Sequence, residues 1–524
     1  MTKCHTMRVQ DILASGRIVN ARFYSSGVRM SRIGLLSLCL VLFFMTGVHA
    51  SEDAVTKAMK LFEKRHYDEA ASVLRMDLAT IEQSKQGTAN LALGMIFFQN
   101  AILHHELYHS ALAVSQDYLK KLATVPGQSR SRVADMYLGD ALIEADKPAV
   151  AAMYFEKFLA NRSIDPQQRS FAKICLGTAY YQNKEPDKGM ALWSSIDASD
   201  PEANVELAAA YIRNGLTEKN PIGMTDESID HMKHAGKQLT MRMMKNLLAV
   251  YSRARLTEKG LQLLKHMDLK AYSYREVLGR SKVIDFYDPS LLSDMSTLYG
   301  QASIGYLEKA LADPKARDSA EFHLAQAYAL FGSIDKSAKM TAQFITSSQM
   351  PQPYKDRIRV WQGADLYQKN NAIEAVGVWD ELSRKQPEDP VLFAEILSTC
   401  GRLKIECAKI AKKSAVAVEA GEGKLFAPLN IALGKYFLGR MDYAKAVSYF
   451  EAGRDKGNKN KIEANDPAML VSLSDAYYRT KKFSEALEIY FEMSKQFPEV
   501  RQIQEAMQGV YAVEHKSAGD VKIN

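Results

Sequence analysis

Residues 104–109 read HHELYH, and three of them could do chemistry. His105, Glu106 and His109 spell H-E-x-x-H, a spacing that places two imidazoles on one face of a helix. Such a pair can hold zinc, with the glutamate acting as the general base of a metallopeptidase. The segment therefore raises the hypothesis of a zinc peptidase, which requires residues 104–109 to lie in one continuous helix.

Other catalytic patterns are missing from the sequence. It contains no P-loop, no G-x-G-x-x-G after a strand, no G-x-S-x-G and no C-x-x-C. H-E-x-x-H is therefore the one enzyme motif that must be explained, and no cofactor is expected.

The N-terminal region predicts export. Arg29 and Arg32 precede an apolar run over 33–48, and the small residue Ala50 follows. A charged start, a short apolar run and a small residue at its end are typical of a secretory signal peptide.

We interpret residues 1–29 as an upstream extension and 30–50 as the signal peptide, so that Ser51 begins the mature chain in a periplasm or cell envelope. A leader retained as a membrane anchor is the alternative. The apolar run is shorter than the roughly 20 residues that span a bilayer, which favours cleavage.

The charge balance argues against nucleic acid as a partner. The formal net charge is +7, but the first 50 residues carry six of the 68 Lys/Arg and only one of the 61 Asp/Glu. The remainder has 62 basic and 60 acidic residues, a net charge of about +2. Nucleic-acid binding needs a basic surface, so protein partners are expected instead.

Three of the five cysteines lie beyond the leader. Cys400 and Cys407 flank a Gly-containing turn, TCGRLKIEC, and in an oxidising compartment they could join two neighbouring helices. Two buried thiols are the alternative. Cys175 lies on an apolar helical face and is predicted to be part of the core.

Internal repeats account for most of the chain. Each unit contains two amphipathic helices, because apolar residues recur at i, i+3, i+4 and i+7 in both halves. In the unit LVSLSDAYYRTKKFSEALEIYFEMSKQFP, Ser474 precedes Ala486 by twelve positions. The same spacing separates small residues at 139 and 151, 177 and 189, 363 and 375, and 434 and 446. This constancy predicts a repeated pair of closely packed helices.

These units resemble tetratricopeptide repeats, whose pattern is L-G-x-x-Y followed by Ala, Phe and Pro at fixed offsets. The resemblance implies an all-α fold, a right-handed superhelical solenoid of antiparallel helix pairs with about ten repeats. Arrays are predicted over 51–215 and 316–498, with an irregular helical segment at 216–315 between them. A capping helix and a tail are predicted at 499–524.

The resemblance also implies a concave groove, lined by the first helix of each pair, that binds polypeptide segments. Side chains at the family's groove positions mix aromatic rings with hydrogen-bonding groups. Solvated helix faces are the alternative for several of them. The candidates are Thr178, Tyr181, Gln326, Tyr367, Lys435, Asp475 and Tyr478.

The repeat offers a second explanation of HHELYH. Gly94 lies in a first helix, and Tyr108 and Ala111 have the spacing that opens a second one. The chain is therefore predicted to bend between Leu103 and Tyr108. Gly94 and Ala111 are seventeen positions apart rather than twelve, so five residues are inserted.

For the zinc alternative, the resemblance supplies a third ligand. Some zinc peptidases with such repeats use a Glu in an E-A-D context, and Glu144 lies in IEADK. The favoured prediction remains a non-catalytic protein–protein interaction scaffold in a periplasm or cell envelope, with protein partners. The alternative is a repeat-bearing metallopeptidase that uses His105, Glu106 and His109.

Overall fold

The computed structural model describes residues 53–123, 129–161, 164–197, 199–267, 289–386, 389–419, 427–454, 466–498 and 500–515. Within these ranges the chain forms twenty-three α-helices and no strand. The proposed leader, 1–50, lies outside the described residues.

The helices of the N-terminal and middle parts are α1 Ala54–Glu63, α2 Tyr67–Asp77, α3 Gln83–Ala123, α4 Ser129–Glu144, α5 Pro148–Leu159, α6 Pro166–Gln182, α7 Pro186–Ser194, α8 Pro201–Arg213, α9 Pro221–His234, α10 Met241–Arg253, α11 Thr257–His266 and α12 Pro289–Ala310.

Those of the C-terminal part are α13 Arg317–Phe331, α14 Ile334–Ser347, α15 Gln352–Gln368, α16 Ala372–Lys385, α17 Pro390–Arg402, α18 Ala408–Ala417, α19 Ala427–Gly439, α20 Tyr443–Arg454, α21 Pro467–Arg479, α22 Phe483–Gln496 and α23 Arg501–His515.

Several first helices of the pairs begin at an Asp-Pro dipeptide. The Asp side chain accepts hydrogen bonds from backbone N–H groups of the first turn, and Pro has no N–H that needs a partner there. In α6 the carboxylate of Asp165 accepts from the amides of Gln167 and Gln168. The same arrangement starts α8, α17 and α21, at Asp200, Asp389 and Asp466.

A tight turn joins the two helices of a pair. In eight of these turns one non-glycine residue adopts positive φ, which reverses the chain and ends the first helix. Because the second helix then runs back along the first, the pairs are antiparallel. The residues in this left-handed conformation are Arg65, Asp146, Lys184, Arg255, Asn370, Lys404, Met441 and Lys481.

Within a pair, a glycine on the first helix contacts an aromatic ring on the second. Gly363 packs against Trp379, sixteen positions later, and the Trp379 indole N–H donates to the Val360 carbonyl at 2.9 Å. Gly177 and Trp193 repeat this contact, with a 2.9 Å bond to the Ile174 carbonyl. A Cβ at either glycine would overlap the ring. The two helices can therefore lie this close only because glycine has no Cβ.

Consecutive pairs stack on one another, since each first helix packs against the first helix of the next pair along α13, α15, α17, α19 and α21. The predicted all-α solenoid of helix pairs is confirmed. The segment 216–315 contributes α9 to α12 in its described part.

The bend predicted at HHELYH is wrong. Helix α3 runs without interruption from Gln83 to Ala123, 41 residues or about 60 Å. No residue of this stretch has the positive φ that ends first helices elsewhere. Leu103, Leu107 and Ala111 instead continue one buried stripe at helical spacing. The five inserted residues therefore extend a helix rather than a turn.

Helix α12 packs along α3 over most of its length. Two buried hydroxyls on α12 fix the register, because Ser303 donates to the Gly94 carbonyl at 2.7 Å and Ser296 to the Ala101 carbonyl at 2.9 Å. Phe97 stacks on Tyr306 in the same interface, with ring centroids 5.6 Å apart.

The C-terminal end of the chain returns to α3, which α21 and α23 contact directly. The Tyr478 hydroxyl donates to Asp117 at 2.8 Å, and Ser110 shares a buried 2.6 Å hydrogen bond with Tyr490. One hydrophobic cluster joins residues of α1 to α6 with residues of α20 to α23. The helix predicted as a cap, α23, thus also docks on the N-terminal part.

Cys400 and Cys407 form a disulfide, with Cα atoms 6.4 Å apart, across the turn between α17 and α18. Closing so short a loop stabilises the hairpin by about 2–3 kcal/mol in the chain-entropy account. Cys175 is buried.

No helix in the described part of the chain combines the length and apolarity needed to cross a membrane.

The glycine–tryptophan contact can be tested at Gly363. We expect Gly363→Ala to destabilise the protein by about 1–3 kcal/mol, because its Cβ would lie 2.4 Å from the Trp379 indole. Gly377 is the matched control, since it lies exposed in α16 and a Cβ there meets nothing within 4 Å. Gly377→Ala should stabilise by about 0.5–1 kcal/mol. Urea unfolding measures both, and equal effects would contradict the packing described.

Candidate functional site

A cavity of about 260 Å³ lies where α3 faces the C-terminal array. Its walls come from α3, from α17 and the turn after it, from α19 and the start of α20, and from α21. The first helices of three consecutive pairs therefore converge on one segment of α3. The lining residues are His105, Glu106, His109, Ser398, Gly401, Arg402, Lys404, Lys435, Leu438, Gly439, Met441, Tyr443, Ser472, Asp475 and Arg479.

The unbroken helix places both imidazoles of HHELYH in this wall. The Nε2 atoms of His105 and His109 are 3.2 Å apart, and the two rings meet edge to face with centroids separated by 4.6 Å. His104, by contrast, is fully buried on the α12 side, where its Nδ1 lies 2.9 Å from the Asn100 carbonyl.

Glu106 is held as a carboxylate. Burial would raise the pKa of its side chain, but the cations Lys435 and Arg402 outweigh burial and bring the pKa below its ordinary value. The Ser472 hydroxyl donates to Glu106 Oε2 at 3.2 Å. A general base works best with a pKa near the working pH, and this environment shifts Glu106 away from that range.

The two imidazoles are neutral at neutral pH. Burial lowers the pKa of His105 to about 4, and the charges of His109, Arg402 and Lys404 add to this effect. Burial also lowers the pKa of His109, assisted by Lys404 and Arg479. One Nε2 donates to the other, so the pair retains one Nδ1–H donor and one Nδ1 acceptor for other partners.

The cavity does not assemble the ligands of a zinc peptidase. Among the described residues, no three His, Cys, Asp or Glu side chains come together so that they could hold a metal ion. Glu144 lines a different cavity, and its backbone carbonyl accepts from the Tyr108 hydroxyl at 3.1 Å. The cations around His105 and His109 would also repel a metal ion.

Positive charge dominates the cavity wall. Arg402, Lys404, Lys435 and Arg479 face two carboxylates, Glu106 and Asp475, so the wall has a net charge of about +2 with both histidines neutral. The Arg479 Nε donates to Asp475 at 3.0 Å, which compensates that pair.

The turn after α17 brings two of these cations into the cavity. Gly401 allows the close approach of α17 and α19, because a Cβ at this position would lie 2.5 Å from the Lys435 carbonyl. Arg402 ends α17, and Lys404 takes the left-handed conformation with φ of 56°. The Cys400–Cys407 disulfide spans both residues and ties the turn to the start of α18.

Of the groove candidates chosen from the sequence, Lys435 and Asp475 line this cavity. Tyr478 is buried against α3, where its hydroxyl binds Asp117. Helix α3 thus covers part of the predicted groove face, which the first helices of the C-terminal pairs form.

The remaining candidates lie elsewhere. Thr178 lines a second cavity of about 270 Å³ between α4, α6, α8 and α10, while Tyr181 packs on Trp193 with ring centroids 5.5 Å apart. Gln326 donates to Glu395 at 3.3 Å, and Tyr367 packs half-buried against the core under α15 to α19. The structure therefore does not bring the seven residues into one site.

Sequence reasoning missed Arg402, Lys404 and Arg479. The family's groove positions lie within helices, whereas Arg402 is the last residue of α17 and Lys404 belongs to the turn after it. For Arg402 and Lys404, the available signal was their position between Cys400 and Cys407, in the segment TCGRLKIEC.

The comparisons with known proteins agree with the repeat pattern. The sequence model of the tetratricopeptide repeat family matches residues 431–499, which contain most of α19 and all of α20 to α22. No curated protein matches the chain in sequence.

Among solved structures, the chain is similar to the yeast Tom70, with 12% identity over 92% of this chain and 96% of that one, at a TM-score of 0.30. It is also similar to the Cut9–Hcn1 hetero-tetramer of APC/C, with 12% identity over 92% of this chain and 99% of that one, at a TM-score of 0.27. The match to the tetratricopeptide repeat family thus covers residues 431–499, and antiparallel helix pairs recur along the rest of the described chain.

Proposed function

We propose that the chain is a non-catalytic interaction scaffold of the periplasm or cell envelope, and that it binds a segment of a partner polypeptide at the cavity between α3 and the C-terminal array. The observation that carries the proposal is the convergence of α17, α19 and α21 on this cavity. Their side chains offer several donors and acceptors at fixed positions, as polypeptide recognition requires.

The cavity is suited to recognition because its walls are already in place. Side-chain hydrogen bonds between α3 and the C-terminal pairs, such as Tyr478 to Asp117, hold the two sides together without a ligand. A preformed site avoids part of the ordering cost of binding.

Export is supported by two independent features. The leader pattern at residues 30–50 is one, and the Cys400–Cys407 disulfide is the other, because disulfides persist mainly in oxidising compartments.

Partner binding at the cavity can be tested by photo-crosslinking. A photoreactive residue in place of Met441, which is exposed and lines the cavity, should capture the same partner repeatedly in cell envelopes. Ile373 is the matched control, as another large, exposed apolar residue in the same array that lies outside the cavity lining. We expect at least several-fold less crosslinking there. Equal capture at both positions would remove the support for a binding role of the cavity.

Export and disulfide formation together predict the mass of the mature protein. When the full chain is expressed with its leader in a bacterial host, intact-mass analysis should find a product that begins at Ser51. Reduction should increase that mass by about 2 Da, the two hydrogens added to one disulfide. A product that retains residues 30–50 would favour the membrane-anchored alternative instead.

The zinc peptidase alternative predicts metal binding at His105 and His109. We expect purified protein to hold no stoichiometric zinc, because the surrounding cations oppose it and no described residue lies near as a third ligand. Zinc titration should give the same amount of bound zinc for the protein and for a His105→Ala/His109→Ala variant. Replacement of the exposed His231 and His234 on α9 controls for adventitious surface binding. One zinc per chain, lost in the first variant, with cleavage abolished by Glu106→Gln, would establish the peptidase.

A further inference from the structure

The cavity already shows how it receives a carboxylate. Glu106 reaches from α3 toward the array, where Ser472 donates a hydrogen bond at 3.2 Å and Lys435 supplies the largest stabilising charge. An acidic side chain carried on a helix therefore fits against α19 and α21.

Lys435 and Arg402 both act on the single charge of Glu106, so positive charge remains beyond that contact. The Nε of Arg402 is buried and has no hydrogen-bond partner among the described residues, although a buried donor normally has one. Lys404 forms no ion pair with any described residue, while Arg479 is already paired with Asp475. Arg402 and Lys404 thus leave room for a second negative group in the same cavity.

These two cations sit on a rigid support. The disulfide closes the turn that carries them, and Gly401 packs that turn directly against α19. The neutral imidazoles of His105 and His109 form the opposite wall and add hydrogen-bonding groups without adding charge. A site with fixed cations on one side and a neutral N–H donor on the other favours an anion with directional oxygens.

We infer that this cavity binds a carboxylate side chain from an acidic segment of a partner polypeptide, with Arg402 and Lys404 as its charged contacts and His105 and His109 as its neutral ones. The inference rests on the proposed function and adds the chemistry of the partner. Charge complementarity selects the occupant, because the wall has two more cations than carboxylates. Glu106 supplies the precedent for a side-chain carboxylate at this wall.

Binding of a defined probe tests the inference. The probe is a fluorescent peptide of alternating Ala and Glu, acetylated and amidated so that only side chains carry charge. A peptide with Gln in place of every Glu is its control. We expect the protein to bind the Glu peptide and not the Gln peptide in fluorescence anisotropy. Equal binding of the two would overturn the inference.

Lys404 provides the decisive variant, because it is exposed and its replacement leaves the core intact. Lys404→Gln should weaken binding of the Glu peptide about tenfold, and Arg402→Gln/Lys404→Gln further. Lys184→Gln is the matched control. Lys184 is also exposed, and it occupies the same left-handed turn position in another helix pair, with φ of 64°. Thermal unfolding verifies that each variant is folded. Equal affinity of Lys404→Gln and Lys184→Gln would show that the cavity does not bind the carboxylate.

Two further outcomes separate this inference from the proposed function. A partner that crosslinks at position 441 equally well in the Lys404→Gln protein would keep the scaffold and overturn carboxylate recognition. Competition by free N-acetylglutamate amide as strong as that by the whole peptide would indicate a small-molecule site and overturn a polypeptide ligand. Competition by the peptide alone supports the inference.

Discussion

The packing of α12 against α3 is the constraint on which the rest of the structure depends. Ser296 and Ser303 bind backbone carbonyls of α3 inside an apolar interface, where an unpaired hydroxyl would be costly, so one register is strongly favoured. That register commits one face of α3 to α12 and rotates Glu106 to the opposite side, roughly 200° around the axis from His104. The C-terminal pairs dock on this second face. The position of the cavity is therefore decided by contacts more than a turn away from it.

The repeat itself could be predicted from sequence because it is a local steric requirement. Two helices joined by a short turn can approach closely only if small residues face each other at a fixed spacing, and a ring sixteen positions after Gly363 fills the remaining space. Each helix pair can therefore be predicted from a stretch of about forty residues. The cysteines at 400 and 407 likewise suggest a pairing because only one turn separates them.

The prediction of a bend at HHELYH is wrong because it rests on a signal for the start of a second helix alone. A signal for the end of the first helix is missing. Tyr108 and Ala111 match the start of a second helix, but the residues before them include none that takes positive φ, as Lys184 and Lys481 do elsewhere. Leucines at helical spacing through 103–107 continue the buried stripe instead. Lys435 and Asp475 were placed near a groove by their helical positions. Arg402 and Lys404 were not, because their proximity to α3 is a contact across some three hundred residues that no local pattern encodes.

A cavity shared by two distant parts of the chain behaves differently from an open groove. Its α3 wall and its array wall meet only while the C-terminal pairs are docked, so a ligand that touches both walls binds the docked arrangement alone. By mass action such a ligand stabilises the docking by an amount that grows with the logarithm of its concentration relative to its Kd. The hydrogen bonds of Tyr478 with Asp117 and of Ser110 with Tyr490 maintain the docking beforehand. The ligand therefore meets a site that is already assembled, and its binding energy is available for recognition rather than for closing the molecule.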